Sequence, residues 1–471
     1  MKKLNELYNG YPPIPIKDIK TNSKEIEKGD IFVCTMGVTK DRHNYVEEAI
    51  KNGAKAIVAS KKISANVPTI YVENTNDELP KLARRFYDHP EKKLDIIAIT
   101  GTNGKTTTAS IIQDLIGNNL CGYMGTNGII CHHFNKKIKN TTPDADKLYK
   151  YLRKFKDSNC KFIAMEASSE AFFRDRLKGI IFKIGIITNI TEDHLNIHKT
   201  VENYVASKQK IINHIQKDGV LILNINDKYY LDTRKKAKNT KVLTFGKGEA
   251  DLKITDIKEH LDNTEITFKY QNKNYHIISP LLGEFNAYNL AAAILALISL
   301  KYDINTILKN IPNIKIPHGR MNFLKFNQNY YIILDYAHTV DAFKKVFSAL
   351  LPLKKGRIIT VTGSAGGREH QKRPSIGKVV LDNSNYVIFT MDDPRWEDVD
   401  SIIDDLVSKT NKTNYERIIK REDAIKKALD MAKNDDIVLI AGKGDDNYMA
   451  IHDEYIPYSD YHVIKNYFKN L

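Results

Sequence analysis

Residues 95–117, DIIAITGTNGKTTTASIIQDLIG, run from an apolar segment through a glycine loop into a helical pattern. Gly101, Thr102, Asn103 and Gly104 can turn tightly and aim backbone N–H groups at a phosphate, at the start of the next helix. Lys105 can reach outer phosphates, and Thr106, followed by Thr107, offers a hydroxyl to Mg²⁺. Only two residues separate the glycines where the common phosphate loop has four, which argues against a switch GTPase. A glycine pair alone would fit an ordinary strand-to-helix turn. The Lys-Thr-Thr-Thr that follows shifts the reading to nucleotide binding.

A phosphate site of this kind needs metal ligands at nearby strand ends. Glu166 in AMEASSE and His194 in TNITEDHLNIH both follow apolar runs. A buried structural pair is the plainer alternative, but ligands of open α/β sheets gather beyond strand ends, so both are candidate metal ligands. Lys208, in NYVASKQKIINHI, falls on a predicted helix, and from pattern alone it reads as a solvated face residue.

The elements that must position these groups alternate between short apolar runs and helical patterns, which predicts parallel strands covered on both faces. DIFVCTM, AKAIVAS and TIYVEN mark an α/β unit over 1–93; KFIAMEAS, FKIGIITNI, GVLILNI and the helix NAYNLAAAILALISL mark a second over 94–316. YYIILDYAH, RIITVTGSAGG, YVIFTMDDP and DIVLIAGKG mark a third over 317–471. Three α/β domains are expected in a chain of 471 residues. The composition, 42% hydrophobic and 27% charged, is that of a globular protein, and no run is long enough to span a bilayer. MKKLNELYNGYPPIP has no apolar h-region, so no signal peptide is expected. Four cysteines without CxxC spacing point to a reducing, cytoplasmic setting. The net charge of +15 is spread along the chain, which disfavours a nucleic-acid binder and suits polyanionic small substrates.

Taken together, TGTNGKTTT, NTTPD, MEASSEA, TNITEDHLNIH, ASKQ, LGEFNAYNLAAA, PHGRM, DYAHTVDA, GSAGGREHQKRP, DDPRWED and AGKGDDNY occur in the order seen in the Mur ligases of peptidoglycan synthesis. The chain resembles that family over nearly its whole length, and within it the tripeptide-synthetase branch, MurE. The resemblance implies a three-domain architecture: a UDP-MurNAc (uridine)-binding N-terminal domain, a central ATPase-like parallel sheet and a Rossmann-like, amino-acid-binding C-terminal domain. It implies ATP-dependent amide-bond formation on the D-glutamate of UDP-MurNAc-L-Ala-D-Glu, through an acyl phosphate. Lys105, Glu166, His194 and Lys208 then take catalytic roles. Thr106, Glu166, His194 and a carbamylated Lys208 hold Mg²⁺, with two ions expected. Here the resemblance overturns the plain reading of Lys208. Gly101 to Thr107, Asn286, Arg320 and Asp335 fall on ATP positions. Ser23, Thr39, Asn140, Thr141, Thr142, Ser168, Arg174 and Arg176 fall on UDP-MurNAc-dipeptide positions. The implied enzyme is a cytoplasmic monomer with no nucleic-acid partner.

Three residues depart from the family pattern. Glu170 replaces a histidine, Arg174 stands where glutamine is common, and Val340 replaces a proline. The added amino acid is read from Arg368, Asp392, Asp393, Arg395, Gly442 and Asp446. Diaminopimelate-adding relatives usually carry DNPR, whose arginine grips the distal carboxylate; here the motif is DDPR. Arg395 favours a carboxylate, whereas the extra charge of Asp393 favours a bare ammonium. L-lysine is slightly preferred over meso-diaminopimelate on that ground. A paralogue acting on another acidic acceptor, such as a polyglutamate, is the alternative enzyme, and a nucleotide-gated binding protein the non-enzymatic one.

Overall fold

The computed structural model describes residues 2–37, 41–138, 140–260, 263–315, 321–367, 370–444 and 446–469. Thr39, Arg320 and Arg368 lie outside the described residues.

Three sheets carry the architecture. The first is parallel, with Ile19–Lys20, Ile31–Val33, Ala56–Ala59 and Thr69–Tyr71 in that order. Its two central strands are buried throughout, as their uninterrupted apolar sequences require. Helix Thr75–Phe86 follows; the Asn74 side chain caps its first turn by accepting from the backbone N–H groups of Asn76 and Asp77.

Among the described residues the central sheet has eleven strands. Its middle is parallel: Cys121–Gly125, Phe162–Glu166, Asp95–Thr100, Phe182–Ile187, Ile215–Asn224 and Lys241–Gly246, side by side. This order puts the glycine loop at the sheet centre, between the strand ending in Glu166 and the strand leading to His194. The sheet is not wholly parallel, however. A hairpin of Gly128–Cys131 and Phe134–Lys136 extends one edge, and Leu252–Glu259, Thr264–Tyr270 and Lys273–Ser279 form an antiparallel extension at the other. The far extension follows from period-2 patterning: Leu252, Ile254, Ile266, Phe268 and Ile277 are buried while the residues between them are not. Expecting continuous apolar runs misses such half-buried strands. Helix Glu284–Ser299 packs on helix Lys105–Ile116 and is buried along most of its length, which its Ala/Leu-rich sequence permits on every face.

The third sheet orders Asn322–Leu324, Tyr331–Asp335, Ile437–Ala441, Ile358–Thr362, Tyr386–Phe389 and Tyr415–Arg417, all parallel except the first. Beneath it Arg421 and Asp460 form an ion pair at 2.8 Å with both side chains 0% exposed. Among the described residues no helix is long and apolar enough to cross a membrane.

Candidate active site

The glycines of the loop are required by their neighbours. A Cβ on Gly101 would lie 1.9 Å from Thr188 Oγ1, and one on Gly104 would lie 2.3 Å from Asn289 Oδ1. Gly104 also has φ +86°, a left-handed conformation that costs a side chain roughly 1–3 kcal/mol. The segment after strand Phe182–Ile187 pins the loop: Thr102 N donates to Asn189 O at 2.8 Å and Asn103 N to Asn189 Oδ1 at 3.0 Å. Thr188 Oγ1 and Asn189 Nδ2 both donate to Asn103 O, at 2.6 and 3.0 Å. Gly104→Ala is expected to weaken nucleotide binding at least about tenfold, by the strain just given, because loop and Asn289 must both shift. Calorimetric titration with ADP checks this.

Lys105 Nζ donates to Gly101 O at 2.9 Å and Thr102 O at 3.1 Å, and Lys208 Nζ reaches the same Gly101 carbonyl at 2.7 Å. The two amines therefore meet over one backbone oxygen. Lys208 is 1% exposed, far from a solvated face residue, with Tyr204's ring centroid 4.5 Å from its Nζ. Burial, then repulsion from Lys105, holds its pKa well below the usual lysine range, against weaker support from Asp193 and Asp227.

Glu166 is buried at its strand's end, where its carboxylate accepts from Thr106 Oγ1 at 3.0 Å, Thr126 N at 2.9 Å, Thr126 Oγ1 at 3.2 Å and the Tyr123 hydroxyl. His194 has φ +53° and starts a short helix. Crowding by the surrounding chain, then Lys105 and Lys208, lowers its pKa although the ring is 53% exposed, and Asp193 pulls the other way. Asp193 pairs with His194 at 3.6 Å and with Lys372, from the third sheet's unit, at 3.1 Å. Burial would raise the Asp193 pKa, but His194, Lys372 and His338 outweigh it and hold it at about 2. An unmodified Lys208 offers Mg²⁺ no oxygen ligand, which that ion requires, and Lys105 adds positive charge beside it. A carbamate on Lys208 would supply those oxygens, and with Thr106, Glu166 and His194 the set then fits a magnesium site.

A cavity of about 740 Å³ opens beside the loop, lined by Asn103, Thr191, Tyr229, Tyr288, Asn289 and, from across the interface, Asp341. Asp341 Oδ2 accepts from Asn103 Nδ2 at 2.6 Å and Thr191 Oγ1 at 3.4 Å, and pairs with Lys345 at 2.9 Å. Asn286 is not among the lining residues. Its Nδ2 donates to Leu282 O at 2.7 Å and its Oδ1 accepts from Asn289 Nδ2 at 2.8 Å, so it fixes Asn289, which does face the cavity. Asp335 likewise ties its own strand end, accepting from Met321 N and Ala337 N, each at 2.7 Å. Asn289, Asp341 and Lys372 escaped the sequence reading. Asp341→Ala is expected to raise KM for ATP about fivefold, because Asn103 loses a partly exposed bond of roughly 1 kcal/mol. Steady-state titration of ATP checks it.

The acceptor-side positions divide. Thr142 Oγ1 donates to Glu166 O at 2.8 Å and accepts from Ser168 N at 3.0 Å, while Thr141 meets Thr126 at 3.2 Å. Arg174 and Arg176 line a cavity of about 440 Å³ between the first sheet's unit and the central one, and Asn140 a neighbouring one. Ser23 is turned inward onto Glu48. On the third sheet, Asp393 Oδ1 accepts from Lys443 Nζ at 2.7 Å and Ala450 N at 2.8 Å, and Asp446 accepts from Tyr336 at 3.0 Å and Lys443 at 3.3 Å. A Cβ on Gly442, φ +108°, would lie 2.1 Å from Asp392 Oδ2, so only glycine lets these two loops meet.

A short phosphate loop at a sheet centre, faced by a third α/β unit, is the arrangement of the Mur ligases, and family models match along the chain. The Mur ligase family catalytic domain matches 15–87, the Mur ligase middle domain 99–297, and the Mur ligase glutamate ligase domain 319–444. The chain belongs to the Mur ligase family. It is 35% identical to the UDP-N-acetylmuramoyl-L-alanyl-D-glutamate–2,6-diaminopimelate ligase of Clostridium perfringens over 98% of this chain and 96% of that protein. To the ligase of the same name from Aquifex aeolicus it is 36% identical, over 96% and 93%. A solved structure of a ligase of that name superposes with a TM-score of 0.69 at 28% identity, covering 100% and 99%. MurF of Thermotoga maritima, solved with ADP, shares the fold at a TM-score of 0.69 and 22% identity, over 92% of this chain and 95% of that one.

Proposed function

We propose that the protein is a cytoplasmic, monomeric ligase that uses ATP to join meso-diaminopimelate to the D-glutamyl side-chain carboxylate of UDP-MurNAc-L-Ala-D-Glu. The observation that carries this reading is the meeting of Lys105 and the buried Lys208 over the Gly101 carbonyl, beside Thr106 and Glu166. A carboxylate cannot expel oxide, so it needs phosphorylation before an amine can displace anything. The acceptor oxygen attacks the γ-phosphorus and ADP leaves; the amine then attacks the acyl carbon, and phosphate departs with the acceptor's oxygen. The loop N–H groups and Lys105 hold the phosphates and offset the repulsion between two anions brought together. Magnesium bound by Thr106, Glu166, His194 and the Lys208 carbamate would supply further charge neutralisation. The depressed pKa of Lys208 favours the neutral amine that carbon dioxide requires. Lys372 and Asp341 bring the C-terminal unit onto the nucleotide side, so closure assembles the site.

Diaminopimelate is preferred over L-lysine on the charge of the third unit's loops. The preference for lysine rested on Asp393, yet Lys443, 1% exposed, lies within 2.7 Å of it and also meets Asp446. Asp393 is therefore met inside the protein by an ammonium that it shares with Asp446. Arg395, whose Nη1 makes only a 3.5 Å contact with Gly366 O among the described residues, keeps its fork for a distal carboxylate. Phosphate release with ATP and the dipeptide acceptor should be stimulated at least about tenfold more by meso-diaminopimelate than by L-lysine, as loss of one bidentate contact implies. A larger response to lysine overturns this choice, and no response to either overturns the activity.

A further inference from the structure

The 440 Å³ cavity is electrically balanced by the chain itself. Arg42, Arg174 and Arg176 line it, and so do Asp144 and Asp175. The third carboxylate is Glu170, which is not a lining residue but holds two that are. Its Oε1 accepts from Arg174 Nε at 2.7 Å and from Arg176 Nη2 at 3.2 Å. Arg176 is engaged on its other edges too, with Nε 2.7 Å from Asp144 Oδ1 and Nη1 3.3 Å from Thr142 O.

Stability does not explain this arrangement. Glu170 and Arg174 are each one-third exposed and four residues apart, a pair worth about 0.3–0.5 kcal/mol. Their placement matters more, because a single carboxylate oxygen is divided between two guanidiniums. Without Arg174, nothing would draw Glu170 from Arg176, whose side chain is only 12% exposed and is held by Asp144 and Thr142 O as well. Glu170 would then close on Arg176 and occupy the edge that an incoming anion needs.

We propose that Glu170 and Arg174 form a coupled charge pair that tunes the pocket's hold on an anionic acceptor, Arg174 keeping Glu170 from committing wholly to Arg176. Both are positioning residues, and the inference rests on the proposed acceptor. The anion is a carboxylate or a phosphate; the dipeptide acceptor carries both.

The test is a pair of variants assayed with ATP, the dipeptide acceptor and the diamino acid. R174Q should raise the acceptor KM about tenfold, within the range of coupled neighbours, with kcat within about twofold of the parent. Adding E170Q should bring KM below a third of the R174Q value, because the neutral amide no longer closes on Arg176. R174Q within about twofold of the parent, or a double variant at or above a third of the R174Q value, overturns the proposal. A merely structural pair would give additive losses instead. Inhibition by UDP identifies the anion: Ki following the KM changes assigns the diphosphate, and Ki unmoved assigns the peptide carboxylate. No turnover by the parent protein would overturn the activity reading, not the charge pair.

Discussion

Lys208→Met is expected to lower kcat about 10²–10³-fold while making the folded protein more stable. The kinetic loss follows from its position. Lys208 shares the Gly101 carbonyl with Lys105, and as a carbamate it would place negatively charged oxygens beside the phosphates as metal ligands. Removing one such preorganised electrostatic group typically costs that much. The gain in stability follows from linkage. Burial lowers the Lys208 pKa, so the unfolded chain binds more protons than the folded one at every pH between the lowered value and the ordinary 10.5. Stability therefore rises with pH across that window, and at neutral pH the lysine is a burden that methionine of similar volume removes. Gly101 O still accepts from Lys105 in the variant, so no buried carbonyl is orphaned. Thermal melts in bicarbonate-free buffer should show a higher Tm for the variant at pH 7 and a smaller gap at pH 9.5. A lower Tm, or undiminished turnover, would show that Lys208 has been misread.

Asp460→Ala should be the most damaging single change to the fold. Asp460 accepts from Arg421 Nε at 2.9 Å and Nη2 at 2.8 Å, and Arg421 Nη2 also donates to Ala441 O at 2.9 Å. Burial opposes the arginine's charge, and Asp460 outweighs it. Removing one partner leaves a buried, unpaired guanidinium, a loss of about 3–5 kcal/mol. For a unit of this size that lowers Tm by roughly 6–20 °C. Ala441 precedes Gly442, which meets Asp392, so the damage reaches the amino-acid loops and KM for the diamino acid should rise as well. Replacing both partners, Arg421→Met with Asp460→Leu, should recover part of the lost stability because the guanidinium goes with its carboxylate, while the Tyr458 hydroxyl loses its acceptor and Asp392 the support of Arg421. A single variant melting within about 2 °C of the parent would contradict the assignment.

The sequence revealed the parts of this site that are local in the chain. The glycine loop, Glu166 and the strand leading to His194 lie at ends of continuous apolar runs, and the structure places those three strands side by side at the sheet centre. Lys208 was legible only through family resemblance, since its burial depends on Tyr204 and on a loop more than a hundred residues earlier. Asp341 had no local signal at all: it bonds to Asn103 across 238 residues and between two units. Asn286 is expected at the nucleotide from family resemblance, while Asn289, one helical turn on and bonded to it, is the one that lines the cavity. The charge balance of DDPR could not be read without Lys443, because an aspartate's partner decides whether its charge is available to a ligand. The antiparallel extensions were missed for a simpler reason, as alternating strands carry half the apolar residues of buried parallel ones.

The central claim is that γ-phosphate passes to the acceptor carboxylate before the amide forms. An acceptor labelled with ¹⁸O in its D-glutamyl side-chain carboxylate tests it directly, because that oxygen bridges carbon and phosphorus in the acyl phosphate. Mass spectrometry of the released phosphate should find one ¹⁸O per phosphate formed, in step with amide product. Phosphate free of label, formed together with amide, would contradict the account.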